Sequence, residues 1–197
     1  MSYLIEFLSE IETLKFEEKK YLKNLFIQKE IEKNTLIIKQ GEISKDVYFL
    51  DKGIMAMIYN KDKKKFVKDF IFWKNPAMAY PSFFTREPSS YSIMTLTDCS
   101  LQVLTKKNYD LAKNKIPKLK SIAHKITNEA HKNIEERFKS LITQTPEERY
   151  IELMSKRPHL LNFISLKMIA SYLGITDVAL SRIRNRISKK GAKQNSF

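Results

Sequence analysis

The residues best suited to do chemistry fall in one stretch, "LKMIASYLGITDVALSRIRNRI", Leu166 to Ile187. Wound as a helix from Thr176 at about 100° per residue, the second half puts Leu180, Ile183 and Ile187 on one side. The opposite side carries Val178, Ser181, Arg182, Asn185, Arg186 and Lys189. That polar set suits nucleic-acid recognition. An arginine such as Arg182 can donate two hydrogen bonds to O6 and N7 of guanine, and Asn185 can pair with adenine or meet a phosphate. The Thr176 and Ser181 hydroxyls can hold phosphates near a helix start.

These side chains need two helices to aim them. Ser165 is placed to cap the first, whose inner face is Ile169, Ala170 and Leu173, and Gly174 allows the left-handed conformation that ends it. Thr176 then caps the second, with Asp177 in its first turn, where the positive end of the helix dipole favours an acid. Two helices joined by so short a turn, the second basic on its outer face, form a helix-turn-helix whose second helix can enter a DNA major groove. An ordinary helical hairpin with a solvated basic face is the plainer reading of the same residues.

Charge placement agrees with an acidic partner. The 197 residues carry a net charge of +14. Residues 1–105 hold 16 Lys+Arg against 14 Asp+Glu, and residues 106–197 hold 20 against 8. The second half is built to meet negative charge, although a lysine-rich composition alone would also raise the total. Hydrophobic residues at 43% and charged residues at 29% fit a globular chain. No apolar run reaches the ~20 residues of a membrane span, and the opening "MSYLIEFLSEIE" has acids where a signal peptide has bases. No membrane partner and a cytoplasmic location are expected. A lone Cys99 reads as a buried, inert thiol. No glycine-rich phosphate loop, metal-spaced His/Asp/Glu cluster or nucleophile motif appears, so neither an enzyme nor a metal site is expected.

Along the chain, residues 3–30 read as one or two helices, with Leu4, Ile5, Leu8, Ile11, Leu14, Leu22, Leu25 and Phe26 at helical spacings. From Thr35, the runs "TLIIKQ", "VYFL", "IMAMIY", "FVKDFIFW", "YSIMTL" and "SLQVL", separated by turn signals, predict a β-sandwich or barrel. After Pro117 an apolar stripe runs through Leu119, Ile122, Ile126, Ala130, Ile134, Phe138 and Leu141 on one long helix. A narrow stripe of this length fits a two-helix dimer seam formed by Leu119, Ile122, Ile126, Ile134, Phe138 and Leu141; packing against the barrel is the other use for it. Thr145 and Pro146 start a further helix, and the end "SKKGAKQNSF" is expected to fray.

This order of parts resembles the catabolite-activator (Crp/Fnr) family of bacterial transcription regulators. The resemblance rests on "GEISKDVYFLDKGIMAMIY" at 41–59 and on "IASYLGITDVALSRIRNRI", the latter very like the DNA-reading element of Bacteroidetes-type members. It implies an α+β chain in three parts. These are an N-terminal cyclic-nucleotide-binding-like β-roll (a double-stranded β-helix) as sensor over 1–115, a dimerisation helix over 116–143, and a C-terminal winged-helix-like helix-turn-helix domain over 144–197. It implies a homodimer on double-stranded DNA that reads half-sites about 34 Å apart, with RNA polymerase as a further partner. Asp177, Val178 and Arg182 would take the base-reading positions. Valine stands where the family commonly has an acid, so only apolar contact is available there.

Family members that bind cyclic AMP hold its phosphate with a Gly-Glu pair and an Arg-Ser pair. Here "NPAMAYPSFFTREPSSYSIMTL" offers no glutamate near Ala79 to Pro81 and a serine, Ser89, at the place of the arginine. Cyclic AMP is therefore not expected as a cofactor. A pocket lined by Tyr80, Phe83, Phe84, Arg86, Ser89 and Tyr91 is expected to take another small molecule or none. His124, His131 and His159 lie outside the barrel and read as surface or helix residues rather than haem ligands. A sensor or protein-interaction module that has lost DNA binding is the alternative function.

Overall fold

The computed structural model describes residues 3–73 and 75–194, with side chains described for 4–73 and 75–189. Two short helices, α1 (Tyr3–Ile11) and α2 (Phe16–Lys23), precede eight strands: β1 (Ile27–Ile31), β2 (Leu36–Ile38), β3 (Asp46–Lys52), β4 (Ile54–Lys61), β5 (Lys64–Phe72), β6 (Pro76–Ala77), β7 (Ser92–Thr95) and β8 (Cys99–Thr105). A six-residue helix, α3 (Tyr80–Thr85), separates β6 from β7. Then follow α4 (Lys106–Lys115), α5 (Lys118–Thr143), α6 (Pro146–Lys156), α7 (Leu166–Leu173) and α8 (Asp177–Gln194).

The strands form two antiparallel four-stranded sheets, ordered β1-β8-β3-β6 and β2-β7-β4-β5. Their inner faces meet in a core that includes Leu50, Met55, Ile71, Tyr91, Ile93, Leu101 and Val103. Alternate residues face outward into two further cores. Val47 and Phe49 of β3 pack with α1, α2 and the start of α5. Ile54, Ala56 and Ile58 of β4, with Val67 and Phe70 of β5, pack with Leu153, Ile169, Leu173, Leu180 and Ile183 of α6–α8. Both faces of β4 are thus buried, which is why "IMAMI" is a continuous apolar run instead of an alternating one.

Cys99 is buried and free, and burial pushes its thiol up. A Cβ on Gly53 would meet its Sγ at 2.5 Å and the Asp98 carbonyl at 2.6 Å, so close backbone approach demands glycine there.

Several local expectations need correction. The opening helical region ends at Lys23, and Ile27–Ile31 is a strand. Its residues are mostly exposed, so burial gives it no pattern; its pairing with β8, from Ile27 opposite Val103 to Ile31 opposite Cys99, makes it a strand. The polar end is helical beyond Ile187, because α8 runs through Gln194; Asn195–Phe197 lie outside the described residues. Between α6 and α7 lies a short 3-10 turn, Leu160–Asn162.

The long helix follows the apolar stripe but uses it in two ways. Leu119 and Ile122, at 6% and 2% exposure, are sealed by their own chain, and Ile126 packs at the edge of the same core. Ile134, Phe138 and Leu141 are uncovered, at 50%, 61% and 40%. Leu119 and Ile122 are therefore intramolecular core rather than free seam, which leaves the far half of α5 as the open part of the stripe.

Candidate nucleic-acid interface

The turn at Gly174 is formed as its residue type requires. Its φ is 71° and ψ 30°, and the Ile175 N–H returns to the Ala170 carbonyl at 3.0 Å, the hydrogen bonding of a glycine-ended helix. Ser165 Oγ accepts from the Met168 N–H at one end of α7, and Thr176 Oγ1 accepts from the Ala179 N–H at 3.1 Å to start α8. Leu180 is fully buried and Ile183 6% exposed. Buried on one side and capped at its start, α8 has one rotational setting, and Thr176, Asp177, Val178, Ser181, Arg182, Asn185, Arg186 and Lys189 all lie exposed on its other surface.

Besides the Thr176 cap, two of these are engaged within the chain. The Asp177 carboxylate accepts from the Val178 N–H at 3.0 Å, and Arg186 Nη1 stands 2.8 Å from Glu147 Oε2 on α6. Asn185 stands one helical turn beyond Ser181 and Arg182 on open surface. Val178, at 58% exposure, offers only apolar contact from this surface.

Arg149, which the sequence reading passed over, fixes the frame. It lies on α6 between Thr145, a cap bonded reciprocally with Glu148, and Leu153, so its i, i+4 spacing to a core leucine was the available signal. Its guanidinium reaches carbonyls at the ends of both α5 and α7.

The expected effector pocket does not assemble. Tyr91 is buried inside the roll, its hydroxyl donating to the Met78 carbonyl at 3.2 Å, and Ser89 Oγ donates to the Tyr91 carbonyl at 2.6 Å. The rings of Tyr80, Phe83 and Phe84 turn to the outside of the sheet, where with Tyr109, Phe26 and Ile122 they border an apolar cavity of about 60 Å³. Arg86 ends α3 in a left-handed conformation and donates to the Ser44 carbonyl at 2.9 Å. The cation that does reach the roll interior is Lys68, whose Nζ lies 4.0 Å from the centre of the Tyr91 ring; burial lowers its pKa. Its place on β5 gave no sequence signal, because a bulge between Met57 and Ile58 interrupts the pairing there.

His124, His131 and His159 are exposed. Among the described residues no three metal-ligating side chains cluster, and no helix is long and apolar enough to cross a membrane.

Comparison with known proteins agrees with this architecture. Residues 28–110 match the cyclic nucleotide-binding domain family. No curated protein matches the chain. Among solved structures, FixK2 from Bradyrhizobium japonicum superposes with a TM-score of 0.73 at 16% identity, covering 84% of this chain and 86% of that one. The c-di-GMP responsive global regulator CLP of Xanthomonas campestris gives 0.71 at 13% identity, covering 90% and 93%. A protein described as a transcriptional regulator of the Crp/Fnr family from Eubacterium rectale gives 0.73 at 12% identity, covering 90% and 85%. The chain has the fold of Crp/Fnr regulators: an N-terminal cyclic-nucleotide-binding roll followed by a helical C-terminal region.

Proposed function

We propose that this chain is a DNA-binding transcription regulator of the Crp/Fnr type, close in its reading element to Bacteroidetes-type members, and that it acts as a homodimer on a palindromic operator. The observation that carries this reading is the setting of α8. Its apolar side is locked into the core by Leu180 and Ile183, and Ser181, Arg182 and Asn185 project together from the other side. Two of the matching structures, CLP and the Eubacterium rectale protein, are described as regulators. Residues 1–115 act as sensor, 116–143 as the dimerising helix and 144–197 as the DNA-binding part, with RNA polymerase as a further partner.

The sensor is proposed not to take cyclic AMP. The stretch Ala79 to Pro81 offers no glutamate for the Gly-Glu pair, and Ser89, at the place of the phosphate-binding arginine, already spends its hydroxyl on the Tyr91 carbonyl.

The test is selection from random duplex DNA with the purified protein at near-physiological salt, where contacts to phosphates alone are weak. Enrichment of an inverted repeat with half-site centres about one helical turn apart supports the reading. Absence of enrichment, with and without added cell extract, rejects it in favour of a sensor module without DNA binding.

A further inference from the structure

The hairpin of β4 and β5 ends in the tip Lys61-Asp62-Lys63-Lys64-Lys65, every residue of it exposed. Asp62 and Lys63 have φ of 50° and 60°, the paired left-handed conformation of a tight hairpin, and Lys61 stands directly opposite Lys64. Like charges facing each other across a strand pair are unfavourable, and none of the four lysines forms an ion pair among the described residues. The tip is also foreign to its half of the chain. Residues 1–105 hold 16 bases and 14 acids; the tip supplies four of those bases and one acid, which leaves 12 against 13.

This hairpin is fastened to the helix-turn-helix. β5 is the outer strand of its sheet, and the Val67 N–H, which points away from the sheet, donates to Ser171 Oγ on α7 at 2.9 Å. The same hydroxyl donates to the Lys65 carbonyl at 3.4 Å. The rings of Phe70 and Tyr172 meet at 5.1 Å, and Tyr172 in turn lies under Arg137 of α5. Contacts along β5 therefore run outward from α5, through Tyr172 to Ser171, and the lysine tip comes last.

We propose that this lysine tip grips the phosphate backbone of the duplex that α8 reads, on the flank of the half-site away from the two-fold axis. The inference rests on the DNA-binding reading above. Lysines are compact point charges that suit phosphate contact rather than base reading, and the Ser171 bridge makes the tip move as one piece with α7.

The test compares the wild-type protein with the variant Lys61→Gln, Lys63→Asn, Lys64→Gln; asparagine keeps the left-handed position comfortable. Both are titrated with salt on the selected inverted repeat, once trimmed to the half-sites and once extended by a helical turn at each end. At about 0.9 per phosphate contact, and one or two contacts per tip, the slope of log K against log salt should fall by about 2 to 4 on the extended duplex. It should not change on the trimmed one, and the selected sequence should stay the same. Equal slopes and affinities on the extended duplex overturn the flank contact while leaving the regulator reading intact. Failure of the wild-type protein to select any repeat removes the regulator reading itself, and the flank contact with it.

Discussion

The guanidinium of Arg149 closes on the carbonyl of Leu173, the last residue of α7, with Nε at 3.2 Å and Nη2 at 3.0 Å, while Nη1 reaches the Gln144 carbonyl at 2.6 Å. The residue is 8% exposed, so a buried cation is satisfied by backbone carbonyls at two helix C-termini, where the dipole is negative. Arg149→Met keeps the volume and strips those carbonyls of their donor. Denaturant unfolding should show a loss of about 2–4 kcal/mol, the range for hydrogen bonds to a charged group plus stranded acceptors. A loss below about 1 kcal/mol would mean that the carbonyls find other partners.

Gly174 holds φ at 71°, and a Cβ added there would meet Leu141 Cδ2 at 3.4 Å, an ordinary contact. The space is adequate, so the cost of substitution is conformational. Gly174→Ala should lower stability by about 1–2 kcal/mol, the left-handed penalty, Gly174→Asn by less, and Gly174→Val by more than either. A thermal unfolding series in that order checks it; equal midpoints for alanine and asparagine would argue that the turn relaxes.

Legibility in the sequence followed burial. The β4 run, the Gly174 turn, and the caps at Ser165, Thr145 and Thr176 were readable because each is decided by residues close together in sequence. β1 was missed because its residues have no buried face and only β8 defines it. The aromatic pocket departs from expectation for a related reason: spacing cannot say that α3 puts the rings of Tyr80, Phe83 and Phe84 on the outer side while Tyr91 stays inside the roll, since the sheet they flank is assembled from strands far apart in the chain.

Arg182 is exposed, so its loss should leave folding within about 0.5 kcal/mol. On the selected operator, Arg182→Ala should cost about 1 to 3 kcal/mol of binding and relax preference at one position per half-site. Affinity measured over a set of single-base variants reads both effects. Undiminished binding would remove Arg182 from the base-reading set.

Asp69 sits on β5 close to Arg157 and Arg137. Burial pushes its carboxyl above the ordinary 3.8, against the pull of the Phe70 N–H and the two arginines. The folded protein therefore holds this proton more tightly than the unfolded chain does. The contribution to stability is fully present below the unfolded value and is lost as pH rises through the folded one. Asp69→Asn should abolish that fall, so the stability difference between variant and wild type should shift in favour of the variant as pH climbs from about 4. A difference independent of pH across that window would show that the carboxyl titrates as in water.

The far half of α5 is where dimerisation can be tested without harming the monomer. Ile126 packs at the edge of the core formed with α1 and α2, so an aspartate there would damage folding as well as any seam. Phe138 is 61% exposed and Ile134 50% exposed, on the same stripe of the helix. In an isolated monomer, Phe138→Asp removes exposed apolar area and should leave the thermal midpoint nearly unchanged. In a dimer joined along this stripe it buries an unpaired carboxylate, which is costly. Sedimentation should therefore give a folded monomer for Phe138→Asp and a dimer for the wild type, with operator affinity falling as the second half-site is lost. An intact dimer would place the seam elsewhere, and the exposed rows of Ile134, Phe138 and Leu141 would then need a different partner.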